Sequence, residues 1–303
     1  MLTRNITALI TPMEASGAVD YAALERLMNH QIQSGTTALV ILGTTGEAQT
    51  LTAQERWHVI QTSVALAAGR IPIIAGTGSS STADAIAWTQ QLENSGIAAC
   101  LTVTPYYNKP TPAGLLQHFT QIANHTQLPQ ILYNVPSRTG CDLQPETIAR
   151  LAELPTIIGL KDATGDLSRV SRLRGLLPKS FILLSGDDVS ALDFMRLGGD
   201  GVISVTANVA ASAMATLCQL AVDRQWEPAE LLNQQLYPLH QALFIESNPI
   251  PVKWACHRLG LIASNTLRLP LTPLSAPAQQ RVEDALAAAN LLPSIQEQAT
   301  CPH

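Results

Sequence analysis

Residues 157–168 read IIGLKDATGDLS. Ile157, Ile158 and Leu160, set around Gly159, form a short apolar run of the kind shown by a strand buried on both faces. Lys161 then stands where a fifth apolar residue is expected, followed by Asp162 and a Thr164-Gly165 turn. A buried strand that ends in a lysine needs an explanation, and the explanation depends on what lies around it.

Working outward from Ile157, seven further apolar, partly β-branched runs recur. They are ITALIT from Ile6, ALVIL from Ala38, IPIIAG from Ile71, ACLTVT from Ala99, ILYNV from Ile131, FILLS from Phe181 and GVISV from Gly201. With the fifth run counted from Gln130, successive starts are 32, 33, 28, 31, 27, 24 and 20 residues apart, the spacing of βα units. The segments between them read as helices: Asp20–Gln33 carries Leu24, Leu27 and Met28 at helical spacing, and Thr52–Ala68 and Ser81–Glu93 behave similarly. Ser34-Gly35, Ser95-Gly96 and Gly198-Gly199 precede the next strand, as helix-closing glycines do. Eight such repeats predict a (β/α)₈ TIM barrel over residues 1–224; an open doubly wound sheet is the alternative and usually has fewer strands. Beyond it, 225–292 reads as a small C-terminal helical appendage with helices over Glu227–Ile245 and Arg281–Ala289, and 293–303 as a mobile tail without periodicity.

Composition narrows the function. The 303 residues are 46% hydrophobic and 14% charged, which places the chain among globular proteins. A net charge of −5 without Lys/Arg clusters argues against a nucleic-acid partner. No apolar run reaches the roughly 18 residues that cross a membrane, and the N-terminal apolar segment, cut by Pro12, is too short for a signal peptide. Five scattered cysteines without a CxxC pair point to a reduced, cytoplasmic protein. The seven histidines form no HExxH or Cys–His cluster, so neither a metal nor another cofactor is expected. GTGSSS at 76–81 lacks the lysine of a phosphate loop and reads as a turn into a capped helix.

Chemistry in a barrel sits at the carboxyl ends of its strands. There the sequence places GTTGE (43–47), TPYYNKP (104–110), YNVPSRTG (133–140), Lys161 and SGDD (185–188). A nucleophilic lysine must be neutral, yet at an ordinary pKa of about 10.4 only roughly 0.04% of lysine side chains are so at pH 7. Desolvation at an apolar barrel mouth favours the free amine, and the natural use is a Schiff base with a carbonyl compound. The plainer reading pairs Lys161 with Asp162. Tyr133 could move protons at such an imine, or be a core tyrosine with a satisfied hydroxyl. Thr44 and Thr45 could relay protons and hold a carboxylate, or merely cap a helix. Arg138 could grip a carboxylate bidentately, or be a solvated loop residue. Tyr106-Tyr107 could be a lid or an interface anchor. Lys253 lies in the appendage and reads as structural.

These motifs, in this order and spacing, closely resemble the dihydrodipicolinate synthase family, within the pyruvate-dependent, Schiff-base-forming lyases, from about Ile6 to Leu292. The resemblance implies condensation of pyruvate with L-aspartate 4-semialdehyde through an imine on Lys161, in lysine biosynthesis by the diaminopimelate route. It implies a proton relay of Tyr133, Thr44 and Tyr107, with Tyr107 reaching in from a neighbouring subunit. It further implies a pyruvate-carboxylate contact at Thr45, a semialdehyde-carboxylate contact at Arg138, and backbone positions lining the pocket at Gly186 and Ile203. A homotetramer, built as a dimer of dimers, is the assembly implied. Lysine-inhibited members hold lysine in a polar cluster, commonly two histidines, an asparagine and a glutamate around a tyrosine. Here the tyrosine is Tyr106 and the other positions read Ala53, Arg56, Ser80 and Asp84, which predicts weak or absent feedback because Arg56 repels a cationic ligand. Two rivals remain at this point: a sister lyase such as an N-acetylneuraminate lyase or keto-sugar-acid aldolase, and a barrel that has lost catalysis and only binds.

Overall fold

The structure, a computed structural model, describes residues 2–292, so the expected tail over 293–303 lies outside the described residues. Eight parallel strands close into a barrel in sequence order: β1 Arg4–Ala8, β2 Ala38–Ile41, β3 Ile73–Gly76, β4 Ala99–Val103, β5 Gln130–Asn134, β6 Ile157–Asp162, β7 Ile182–Ser185 and β8 Gly201–Ser204. The (β/α)₈ expectation is met. Five strand starts coincide with the sequence reading; β1 begins two residues earlier, β3 two later and β7 one later.

The strands alternate between two cores, as the period of two requires. Ile6, Val40, Ile74, Leu101, Ile131 and Leu184 fill the barrel interior. The opposite faces pack outward, Leu39, Ile41 and Ile73 against one set of helices and Leu132, Leu160 and Leu183 against another. The helices are α1 Tyr21–Gln33, α2 Ala53–Ala67, α3 Thr82–Gln91, α4 Pro112–Asn124, α5 Pro136–Thr139, α6 Pro145–Leu151, α7 Ser168–Leu176, α8 Ala191–Arg196, α9 Ala211–Val222, α10 Trp226–Ala242, α11 Ile250–Arg258 and α12 Ala276–Ala288. Asp20, Thr52, Ser81 and Thr111 cap α1 to α4 through their side chains. The boundaries expected from periodicity therefore included capping residues at several ends.

α10 packs on α9 and α12, and α11 on α12. Their buried residues, among them Leu239, Leu243, Val252 and Leu286, belong to the same apolar cluster as Leu24 and Leu27 of α1. α12 starts at Ala276, five residues before the expected Arg281, because Pro277 suits a helix's first turn. Among the described residues no helix is long and apolar enough to cross a membrane.

α3 and α4 meet around a histidine. His118 is 5% exposed, with Nδ1 2.8 Å from Thr82 Oγ1. Burial depresses its pKa from 6.5 to about 4. The unfolded chain takes up this proton below about 6.5 and the folded chain only near 4, so the folded state keeps its full stability above that window and loses it as pH falls through it. Burial shifts His240 in the same direction. Urea titrations are expected to give a lower midpoint at about pH 5 than at about pH 7.5, and His118→Gln is expected to shrink the difference.

Candidate active site

Strand alternation answers the question raised by Lys161. On β6, Asp162 points outward and Lys161 inward. Asp162 accepts from Arg169 Nε at 3.1 Å and from the Thr164 amide at 2.8 Å. Arg169 also pairs with Asp142 at 3.0 Å, and Asp142 accepts from Asn134 Nδ2 at 2.7 Å. The acid beside Lys161 is thus fully engaged behind the sheet, and the Lys161–Asp162 pairing is excluded. Lys161 is 6% exposed and makes no salt bridge or hydrogen bond through Nζ among the described residues. Its amine sits 4.3 Å from the centroid of the Tyr133 ring.

Tyr133 is the residue paired with Lys161 in the β5–β6 register. It is buried, yet its hydroxyl has no hydrogen-bond partner among the described residues, which separates it from a satisfied core tyrosine. Thr44 likewise has an unpartnered hydroxyl. Lys161, Tyr133 and Thr44 line one cavity of about 290 Å³ together with Thr45, Arg138 and Gly186. A β-carbon on Gly186 would fall 2.7 Å from Ala163 Cβ and 2.9 Å from Lys161 Cε, so glycine there leaves room for the lysine to swing. Ile203 is buried inside the barrel, paired with Ile6. Val205, two residues on, lines the cavity.

The second chamber, about 250 Å³, shares Gly43, Thr44, Tyr133 and Arg138 with the first and extends to Gln49, Arg56 and Trp88. Arg138 lies on α5, a single turn started by Pro136 and closed by Gly140 at φ 74°. Its Nη2 donates to the Asn248 carbonyl at 3.3 Å, so it is anchored on one side and solvated on the other. Tyr107 is not brought to Lys161 within this chain: it is 93% exposed and holds a left-handed backbone at φ 74°. Around the outer chamber, Tyr106 donates to Gln49 Oε1 at 3.2 Å. The Arg56 guanidinium lies 5.1 Å from the Trp88 ring centroid. The Ser80 carbonyl accepts from Asn108 at 2.9 Å, and Asp84, exposed on the first turn of α3, has its amide capped by Ser81. Ala53, the remaining position of that set, opens α2.

The GTTGE loop is held from the C-terminal helices, a feature the sequence reading missed. Glu47, in left-handed backbone at φ 53°, accepts from Lys253 Nζ at 2.5 Å, both side chains being fully buried. Its second oxygen accepts from the Arg268 amide at 3.2 Å. Burial pulls the Lys253 ammonium below its ordinary range and the Glu47 carboxylate opposes this. Arg268 continues outward to Glu55, the Gly17 carbonyl and the Thr50 carbonyl, holding the Glu55 carboxyl down at about 2. Asn248 Nδ2 donates to Thr45 Oγ1 at 3.0 Å. Among the described residues no three His, Cys, Asp or Glu side chains converge as a metal site.

A sequence profile of the Dihydrodipicolinate synthetase family matches residues 1–289. The chain belongs to that family. It is 57% identical over 292 residues to the 4-hydroxy-tetrahydrodipicolinate synthase of Shigella dysenteriae serotype 1, covering 96% of this chain and 100% of that one. The crystal structure of the chloride-inhibited dihydrodipicolinate synthase of Acinetobacter baumannii, complexed with pyruvate, superposes with a TM-score of 0.94 at 48% identity, over 96% of this chain and 100% of that chain. A structure described as the first monomeric dihydrodipicolinate synthase variant superposes with a TM-score of 0.93 at 39% identity, over 96% of this chain and 97% of that chain. The resemblance read from the motifs is thereby the family itself, and the members of this dihydrodipicolinate synthase family are lyases.

Removing one partner of a buried pair strands the other. Lys253→Met is expected to cost about 3–5 kcal/mol, read as a lower urea midpoint. Replacing both residues, Glu47→Met with Lys253→Met, is expected to recover most of that loss, because no lone buried charge remains.

Proposed function

We propose that the protein condenses pyruvate with L-aspartate 4-semialdehyde through an imine on Lys161, the reaction of a 4-hydroxy-tetrahydrodipicolinate synthase and the first committed step of the diaminopimelate route to lysine. The observation that carries this is a buried, unpaired lysine amine over Tyr133, in a cavity where the Tyr133 and Thr44 hydroxyls are also without partners among the described residues.

In this reading the Lys161 amine adds to the pyruvate carbonyl, and water leaves the carbinolamine to give the imine. Loss of a methyl proton gives an enamine, whose carbon bonds to the aldehyde carbon of the semialdehyde. The amine of the bound semialdehyde then displaces Lys161, closing the ring and freeing the lysine. Tyr133 and Thr44 carry protons through these steps. Thr45 donates to the pyruvate carboxylate, with Gly186 and Ile203 supplying backbone around it. Arg138 takes the semialdehyde carboxylate in the outer chamber. Exposed Tyr107 completes the relay in a neighbouring copy, within a homotetramer built as a dimer of dimers. The barrel of 1–224 forms the catalytic unit and the helices of 225–292 close its mouth, in a cytoplasmic enzyme that needs no cofactor.

Three outcomes distinguish the readings. Borohydride reduction in the presence of pyruvate is expected to add a pyruvate-derived mass to the peptide containing Lys161; an unlabelled peptide would contradict the imine and leave a binding protein. Pyruvate consumption is expected with L-aspartate semialdehyde and not with N-acetylmannosamine or glyceraldehyde. Consumption driven by a sugar aldehyde would keep the imine and move the protein to a sister lyase.

Regulation follows from the outer chamber. With Arg56 in place of a neutral ligand-binding side chain, and Ala53, Ser80 and Asp84 around Tyr106, lysine meets a fixed cation. Lysine is expected to inhibit weakly or not at all in a steady-state titration, and strong inhibition at submillimolar concentration would overturn this.

A further inference from the structure

Asn248 is a buried polar residue of the barrel mouth to which the proposed chemistry gives no part. It lies between α10 and α11, is 6% exposed, and lines both chambers. It touches each of the two groups that the proposed reaction uses to hold a carboxylate. Its side-chain Nδ2 donates to Thr45 Oγ1 at 3.0 Å, and its main-chain carbonyl accepts from Arg138 at 3.3 Å. Its Oδ1 is buried without a partner. An unpaired buried amide oxygen is destabilising, and an aliphatic side chain would avoid it. The amide is therefore a poor choice for packing alone.

The consequence lies in the proton of Thr45. A hydroxyl oxygen that accepts an amide N–H must send its own proton elsewhere. Thr45 is buried, its hydroxyl makes no other hydrogen bond among the described residues, and the residue lines the Lys161 cavity. With Asn248 behind it, its O–H is left to donate into that cavity. We infer that Asn248 is a positioning residue, which fixes the Thr45 hydroxyl as a donor to the carboxylate of the keto acid bound at Lys161. Its carbonyl holds Arg138 at the same time, so one residue sets the relative position of the two carboxylate-binding groups. The inference rests on the proposed function for the identity of the keto acid.

The amide's orientation makes the idea sharp. An ionised Asp at 248 can only accept. It would draw the Thr45 proton toward itself and away from the cavity. A smaller Ser keeps a donor but not its reach.

The test uses the full chain and pyruvate alone. Borohydride trapping on Lys161 is measured against pyruvate concentration, with no second substrate. Asn248→Ala is expected to raise the half-saturating pyruvate concentration by ~10-fold, the scale of one well-placed hydrogen bond, with the plateau of trapping retained. Asn248→Asp is expected to raise it at least as far, and Asn248→Ser by less. In a Thr45→Val background, Asn248→Ala is expected to change it by less than ~2-fold, because a residue acting through Thr45 has nothing left to act on. In full turnover the semialdehyde KM is expected to move less than the pyruvate KM, since the carbonyl that holds Arg138 survives every substitution. Additive effects of Asn248→Ala and Thr45→Val would overturn the inference, as would an Asn248→Asp variant that binds pyruvate like the unsubstituted protein. Equal rises in both KM values would mark a merely structural role and overturn it too. Should Asn248→Ala fail to fold by thermal unfolding, the Asp and Ser variants carry the same comparison. Absence of trapping in the unsubstituted protein would overturn the imine reading itself.

Discussion

Lys253 and Glu47 meet at 2.5 Å with no exposure to water, and the barrel mouth is organised around that contact. A buried ion pair gives little net stability against an apolar pair of the same size, because desolvation consumes most of the attraction. It does impose register: a carboxylate that has surrendered its water tolerates few positions. Glu47 ends the loop that carries Thr44 and Thr45, and it does so in left-handed backbone, a conformation that a β-carbon disfavours. Lys253 and the Arg268 amide occupy both of its oxygens, so the loop is held where its own torsions would not keep it. The C-terminal helices share the core of α1 and reach the site through this pair and through Asn248. A segment far away in sequence thus sets the position of the loop after the second strand.

The barrel was legible because its signal is repeated. Eight apolar runs at the spacing of βα units leave few architectures, and the errors were confined to ends, where capping residues such as Thr52 and Ser81 blur the boundary between helix and loop. The inward reactive residues were legible for a related reason. Position at a strand's carboxyl end, with a period of two, decides which side chain meets the cavity, and Lys161 and Tyr133 fall in register on adjacent strands. What could not be read was the outer support. Asn134, Asp142, Asp162 and Arg169 form a chain of contacts behind β5 and β6, yet nothing in their local sequence marks them as partners. Glu47 lies more than 200 residues from both Lys253 and Arg268 along the chain. Such pairs are products of the closed fold. Periodicity reports which face a residue occupies and is silent about what it meets there.

Polar groups near the mouth fall into two sets. Those outside the Lys161 cavity are paired: Asp162 has Arg169 and Thr164, Asp142 has Arg169 and Asn134, Glu47 has Lys253 and Arg268. Those lining it, the Lys161 amine and the hydroxyls of Tyr133 and Thr44, have no partner in the described residues. Asp162 is held by Arg169 and the Thr164 amide on the face of β6 away from Lys161. The unpartnered atoms are what a keto acid can use, since each hydrogen bond not made within the protein is one that the ligand can complete. A site built in this way depends as much on where its charges have been consumed as on where they have been left.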